Sequence, residues 1–157
     1  MDCLIPEPVW EYLKDYLEVD PHHGAGFIKD NLPEFKHKVS TSNYGAVLII
    51  EDLDKENAWL GMAGVTTGCC IIHLHFMYVI PEERLGPIFY KLMCEVSQYG
   101  RMNYYGYVTV SIPELPDLDS LHRMLSDMSS SATPEMTMAG SQVIKYVIPK
   151  AEWEKVF

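Results

Sequence analysis

His73 and His75 stand two residues apart in the nearly all-apolar run from Cys69 to Ile80. In an extended strand both rings therefore lie on one face. Such a pair can hold a transition metal, act as general base beside a bound substrate, or pack as structural histidines on a half-covered face. A tetrahedral metal site needs a third ligand. Cys69 has the right parity but lies about 13 Å from His73 along a straight strand, out of reach without a bulge. Metal is thus the weakest of the three readings, and the base and structural readings stay open.

Other groups carry less chemistry. Cys94 falls on the apolar face of a helical pattern, and its type there is core rather than nucleophile. The segment His22-His23-Gly24-Ala25-Gly26 follows no strand and lacks lysine, so it is no phosphate loop. Tyr99, Tyr104, Tyr105 and Tyr107 could form a stacking platform, yet the acidic surroundings favour sheet packing or protein contact over nucleic acid. Met124, Met128, Met136 and Met138 flank a Ser-rich stretch and read as core or as a plastic groove.

The composition narrows the class. The chain has 157 residues, 48% of them hydrophobic, which is enough for one core and fits a single domain over 1–157. Its formal net charge is -10, with twelve Lys and Arg and no basic cluster. That field repels phosphate backbones and suits a basic or amine-bearing small molecule or protein as partner. The N-terminus lacks the pattern of a signal peptide, and no run is long and apolar enough for a membrane span. The four cysteines, Cys3, Cys69, Cys70 and Cys94, read as reduced and buried. A cytoplasmic setting, or a virion assembled in one, is expected.

The elements that must position these groups follow from periodicity. A short amphipathic helix carries Val9, Leu13, Tyr16 and Leu17 and stops before Pro21. Residues 21–42 read as loop with one helical turn around Leu32 to Phe35. Tyr44–Ile50, Ala58–Thr67 and Cys69–Ile80 read as an antiparallel meander. Ile88, Phe89, Leu92, Met93, Val96 and Tyr99 line one face of a helix that Gly100 would cap. Tyr104–Ile112 is a strand, Leu121–Met128 a helix, Ser129–Gly140 a loop and Gln142–Ile148 a last strand. Trp153 and Phe157 would dock the tail. Strand, helix and strand from Cys69 to Ile112 make a right-handed βαβ crossover if the strands are parallel neighbours.

This order of elements, with Leu74–Met93 reading L-H-F-M-Y-V-I-P-E-E-R-L-G-P-I-F-Y-K-L-M, resembles the GNAT superfamily of acyl-CoA-dependent N-acyltransferases. The resemblance spans about Gly45 to Ile148. It implies an α/β (α+β) fold with a GNAT-like mixed sheet: antiparallel meander, βαβ unit, C-terminal helix and strand. It implies acetyl-CoA as cofactor and transfer of an acetyl group to an amine. Tyr78 and Val79 would offer backbone to the cofactor arm, and Arg84, Leu85, Gly86 and Ile88 would surround the pyrophosphate. His73 or His75 would be the base, and His122 or Ser126 would replace the tyrosine that often protonates the leaving thiolate. The family turn carries a second small residue; here Gly86 comes one place early, Pro87 has no N–H and Phe89 is bulky. Small acyltransferase-like proteins of tailed bacteriophages look similar in short words such as Lys91–Met93 and His122-Arg123. That likeness implies the alternative of a non-catalytic protein acting by protein contact.

Overall fold

Why these residues form these elements is clearest at the centre of the sheet. The computed structural model describes residues 6–41, 45–55 and 58–157; Cys3 and Tyr44 lie outside them. The strands are β1 (Ala46–Glu51), β2 (Trp59–Gly68), β3 (Ile71–Val79), β4 (Tyr107–Pro113), β5 (Ser131–Met136) and β6 (Gln142–Pro149). They form one sheet in the order β1-β2-β3-β4-β6-β5. β3 and β4 are parallel, and every other neighbouring pair is antiparallel. Helix α3 (Ile88–Asn103) makes the crossover between the parallel strands.

The sheet divides two apolar clusters. On one face α3, α4 (Asp119–Met128) and α5 (Lys150–Val156) bury Leu92, Met93, Val96, Leu125 and Trp153 against Ile72, Leu74, Val108 and Ile148. On the other, α1 (Glu7–Val19) and α2 (His23–Thr41) bury Trp10, Leu13, Leu17 and Phe35 against Met62, Phe76 and Tyr78. Leu74 and Phe76 share parity yet join opposite clusters. The cause is a bulge: Val65 pairs with Leu74 and Gly64 with Phe76, leaving His75 as the extra residue.

Four expectations need correction. Residues 23–41 are one continuous helix, not a loop with a single turn. Gly24, Gly26 and Pro33 argue locally against helix, but burial of Ala25, Phe35 and Val39 overrides propensity. Gly100 lies inside α3 rather than capping it; a Cβ there would fall 2.2 Å from Ile72 Cδ1, so glycine permits close approach of helix and sheet. Tyr104, at φ 54°, ends the helix instead. Within Ser129–Gly140, residues 131–136 form edge strand β5, whose residues are all exposed and leave no alternating pattern to read. Pro134 is tolerated there because the strand has a partner on one side only.

The fourth correction concerns Cys69 and Cys70. They are exposed and form the two-residue turn between β2 and β3, with φ of 51° and 64°. Positive φ at both positions is the mark of a type I′ hairpin turn, which favours Asn-Gly. A non-glycine residue pays about 1–2 kcal/mol for that conformation. Replacing Cys69 by Asn and Cys70 by Gly together is expected to raise stability by about 1–2 kcal/mol, read as a Tm increase of roughly 2–8 °C in thermal melts.

Candidate functional site

Parallel strands β3 and β4 pair over only four residues each, Ile71–Leu74 with Tyr107–Val110. Beyond Leu74 they diverge, and the β4-facing edge of β3 from His75 to Val79 has no strand partner. The gap is a largely apolar cleft of about 470 Å³. Its walls are His75–Val79 of β3, Ser111–Pro113 of β4, the first turns of α2, Phe89, and Leu121 and Met124 of α4.

At one end the cleft meets the turn that carries α3. The amides of Arg84 and Gly86 bond within this turn, to Pro81 and Glu83 carbonyls, and Lys91 N–H reaches the Pro87 carbonyl. The amides of Ile88, Phe89 and Tyr90 open the helix and have no acceptor one turn back. They form a site of positive potential at a helix N-terminus. Leu85 and Gly86 are exposed at its rim. The Ile88 side chain is buried beside Gly61, so this residue can meet a ligand only through its backbone.

Arg84 does not reach into the cleft as a free cation. Its Nε donates to the Val79 carbonyl at 3.0 Å and its guanidinium grips Asp20. Tyr78 Oη donates to the same carboxylate at 2.5 Å. The Asp20 side chain is 1% exposed. Burial pushes its carboxyl up, but hydrogen bonds from Arg84, Tyr78 and the His22 amide outweigh this and hold it below its ordinary value. Burial and the bond to Asp20 push the Tyr78 phenol up. On the opposite wall, His22 Nε2 lies 3.1 Å from Asp117 and the His23 amide donates to it at 2.9 Å. Residues 20–24 thus strap the two diverging strands across the cleft.

The two histidines lie at its other end. Their rings meet edge to face at 4.4 Å. His73 Nδ1 pairs with Thr109 Oγ1 at 2.5 Å and His75 Nε2 with Thr66 Oγ1 at 2.8 Å. Burial, then the positive charges of Lys145 and Lys38, lower the His73 pKa to about 4. Burial, then His73 and Lys38, lower that of His75 to about 3. Both rings are neutral at physiological pH. A second hollow of about 560 Å³ opens over them, where α1 and α2 leave β4 and β6 uncovered. His75 and Ser111 line both hollows, so cleft and groove meet there.

His122 is not part of this constellation. Its Nδ1 pairs with Tyr146 Oη at 2.6 Å and its Nε2 with the Pro113 carbonyl at 2.8 Å, facing a separate hollow with Glu114 and Asp119. Ser126 is exposed on α4 and lines neither hollow, and Met124 presents the α4 side chain to the cleft. Asp20, Asp117, Thr66 and Thr109 escaped sequence reasoning. Each acts on a side chain or backbone group at least 9 residues away, so no local spacing marks it; only the Asp20-Pro21 helix stop points to that place. Among the described residues no three His, Cys, Asp or Glu side chains converge as metal ligands, and no helix is long and apolar enough to cross a membrane.

The sheet is mixed, and its one parallel pair opens beside the turn that carries α3. The particular fold is that of the GNAT acetyltransferases. A GNAT-family protein from Desulfovibrio desulfuricans superposes with a TM-score of 0.64 at 14% identity, covering 96% of this chain and 97% of that one. A spermidine N-acetyltransferase chimera of Vibrio cholerae SpeG and hSSAT gives 0.63 at 10% identity, with 96% of each chain covered. The PaiA N-acetyltransferase from Thermoplasma acidophilum, in complex with coenzyme A, gives 0.53 at 10% identity over 89% of this chain and 91% of that one. No family model and no curated protein sequence matches the chain.

The histidine pair sets a pH dependence. Unfolded histidines take up protons below about pH 6.5, whereas the folded rings resist until about 4 and 3. The unfolded state therefore binds more protons in that window, and stability falls as pH drops from about 6.5 towards 4. Denaturant titrations of the parent and of His73→Gln plus His75→Gln at pH 7 and pH 4.5 measure this. The double variant is expected to lose less stability on acidification, by roughly 5 kcal/mol.

Proposed function

We propose that this chain is an acyl-CoA-dependent N-acyltransferase that moves an acetyl group from acetyl-CoA to an amine. The observation that carries this reading is the junction at His75: an apolar cleft running from a helix N-terminus ends where a polar groove begins. The residues fit the cofactor. A cleft of about 470 Å³ suits a slender arm, and the unpartnered β3 edge can exchange backbone hydrogen bonds with its amides. The Ile88, Phe89 and Tyr90 amides would hold phosphate oxygens. Pro87 contributes no N–H, and Glu82 and Glu83 oppose the anion, so the grip is weaker than a full glycine-rich turn gives.

The bound cofactor supplies an activated thioester. Residues of this chain then do three things. Backbone N–H groups of the free β3 edge around Val79 polarise the carbonyl. The apolar cleft, with Leu121 and Met124 on one wall, disfavours water as a competitor of the amine. His75 takes the proton that the amine sheds as its C–N bond forms and the C–S bond breaks, and that proton passes on to the leaving sulfur or to solvent. His73, locked to Thr109, holds the His75 ring edge on. With a ring this weakly basic, His75 relays the proton rather than storing it.

A second reading keeps the fold without catalysis, acting by contact with another protein. It is favoured by Arg84, which is spent on Asp20 and the Val79 carbonyl, and by Phe89, which crowds the turn. Calorimetry with acetyl-CoA and coenzyme A separates the two. Binding in the micromolar to submillimolar range is expected, together with thiol release that His75→Gln slows by about tenfold to a hundredfold at unchanged acetyl-CoA affinity. No heat at millimolar ligand and no thiol release would leave the contact protein as the surviving reading.

A further inference from the structure

The groove over the histidines differs from the rest of the surface in its charge. The chain as a whole carries -10. The groove, in contrast, is lined by Lys38 from α2 and Lys145 from β6, with Glu135 as its one carboxylate and both histidines neutral. Neither lysine is locked away. Lys145 Nζ stands 3.9 Å from Glu135, too far for a hydrogen bond, and is 36% exposed. Lys38 is 45% exposed and pairs within its own helix with Glu34 at 3.1 Å, which is no lining residue. The two lysines line the same groove as both histidines, and their charges help to hold the His73 pKa down. Ser111, on the floor where groove meets cleft, has a side-chain hydroxyl without a partner among the described residues.

This arrangement works against a polycation. A polyamine drawn in by the acidic exterior would place its second charge against Lys38 or Lys145, and a like-charge contact in a partly enclosed groove is costly. A molecule with one amine and one oxyanion meets complementary groups at both ends. Resting on the N-acyltransferase reading, we infer that the acceptor is a small polar amine bearing its own carboxylate or phosphate, with the oxyanion held by Lys145 and Lys38 and the amine beside His75.

The test uses the full chain and four probes: glycine, glucosamine 6-phosphate, ethanolamine and spermidine. The first readout needs no cofactor. Imidazole NMR signals of His73 and His75 are followed during each titration. Glycine or the sugar phosphate is expected to shift them, ethanolamine and spermidine far less. Lys145→Gln is expected to weaken that response about tenfold, and Lys145→Arg to retain it. Which of the two anionic probes saturates first identifies carboxylate or phosphate as the source. The second readout is thiol release from acetyl-CoA, where the same variant raises the KM of the anionic acceptor about tenfold and that of ethanolamine far less. A shift with spermidine alone, or a response to the anionic amines that Lys145→Gln does not alter, overturns the inference even if acetyl transfer is observed. Absence of coenzyme A binding, with the histidine shifts and their Lys145 dependence intact, instead sinks the acyltransferase reading and leaves an anion-binding groove.

Discussion

Two parallel strands that start as hydrogen-bonded neighbours and then part company set the shape of everything functional in this molecule. A parallel pair normally continues until one strand ends, because each lost rung leaves backbone groups to be satisfied elsewhere. Here pairing stops at Leu74 and Val110 while β3 runs on to Val79 and β4 to Pro113. The His75 bulge coincides with the parting, since an extra residue bends and twists the strand that holds it. One consequence is that Phe76 and Tyr78 turn to the α1–α2 side while Ile72 and Leu74 face α3. Another is that His75 sits at the only step where the strand changes its face.

Diverging strands need to be held apart as well as started apart. Apolar packing of α3 under β3 and of α4 under β6 does part of this. The strap does the rest from above. Asp20 ties residues 20–24 to Arg84 and Tyr78 on the β3 wall, and Asp117 ties the same segment to the β4–α4 connection. Breaking one partner of such a buried pair is costly because it strands the other charge. Arg84, which a turn-based reading of the chain places on the pyrophosphate, is thereby a structural clasp. The α3 amides are left as the donors at that end, which explains how a turn with one glycine and one proline can still face a cleft.

Charge is distributed to match. Acidic residues dominate the exterior, and the two lysines nearest the histidines are the local exception. Their fields add to burial in keeping both rings unprotonated, so the junction of cleft and groove stays neutral while its approach is charged. The same burial that makes these rings available as proton acceptors makes them weak ones.

Much of this frame was legible in the residues. The meander, the α3 face from Ile88 to Tyr99, the β4 and β6 strands and the His73–His75 pair all follow from periods of two and 3.6, because burial on one face is a local pattern. The L-H-F-M-Y-V-I-P-E-E-R run carried the GNAT likeness through its residue types rather than its periodicity. Helix α2 was hidden by Pro33 and its glycines, and β5 by having no buried face. Gly100 and the Cys69-Cys70 turn were misplaced because close approach and backbone handedness have no mark in hydropathy. What the residues alone decided is the order of α1, β1 to β3, α3, β4, α4 and β6; they left the crossover conditional on β3 and β4 being parallel neighbours. Where β3 leaves β4, which carboxylate takes Arg84, and that His75 joins two hollows while His122 joins neither were settled only by tertiary contacts between residues far apart in the chain, whose pairing no local spacing encodes.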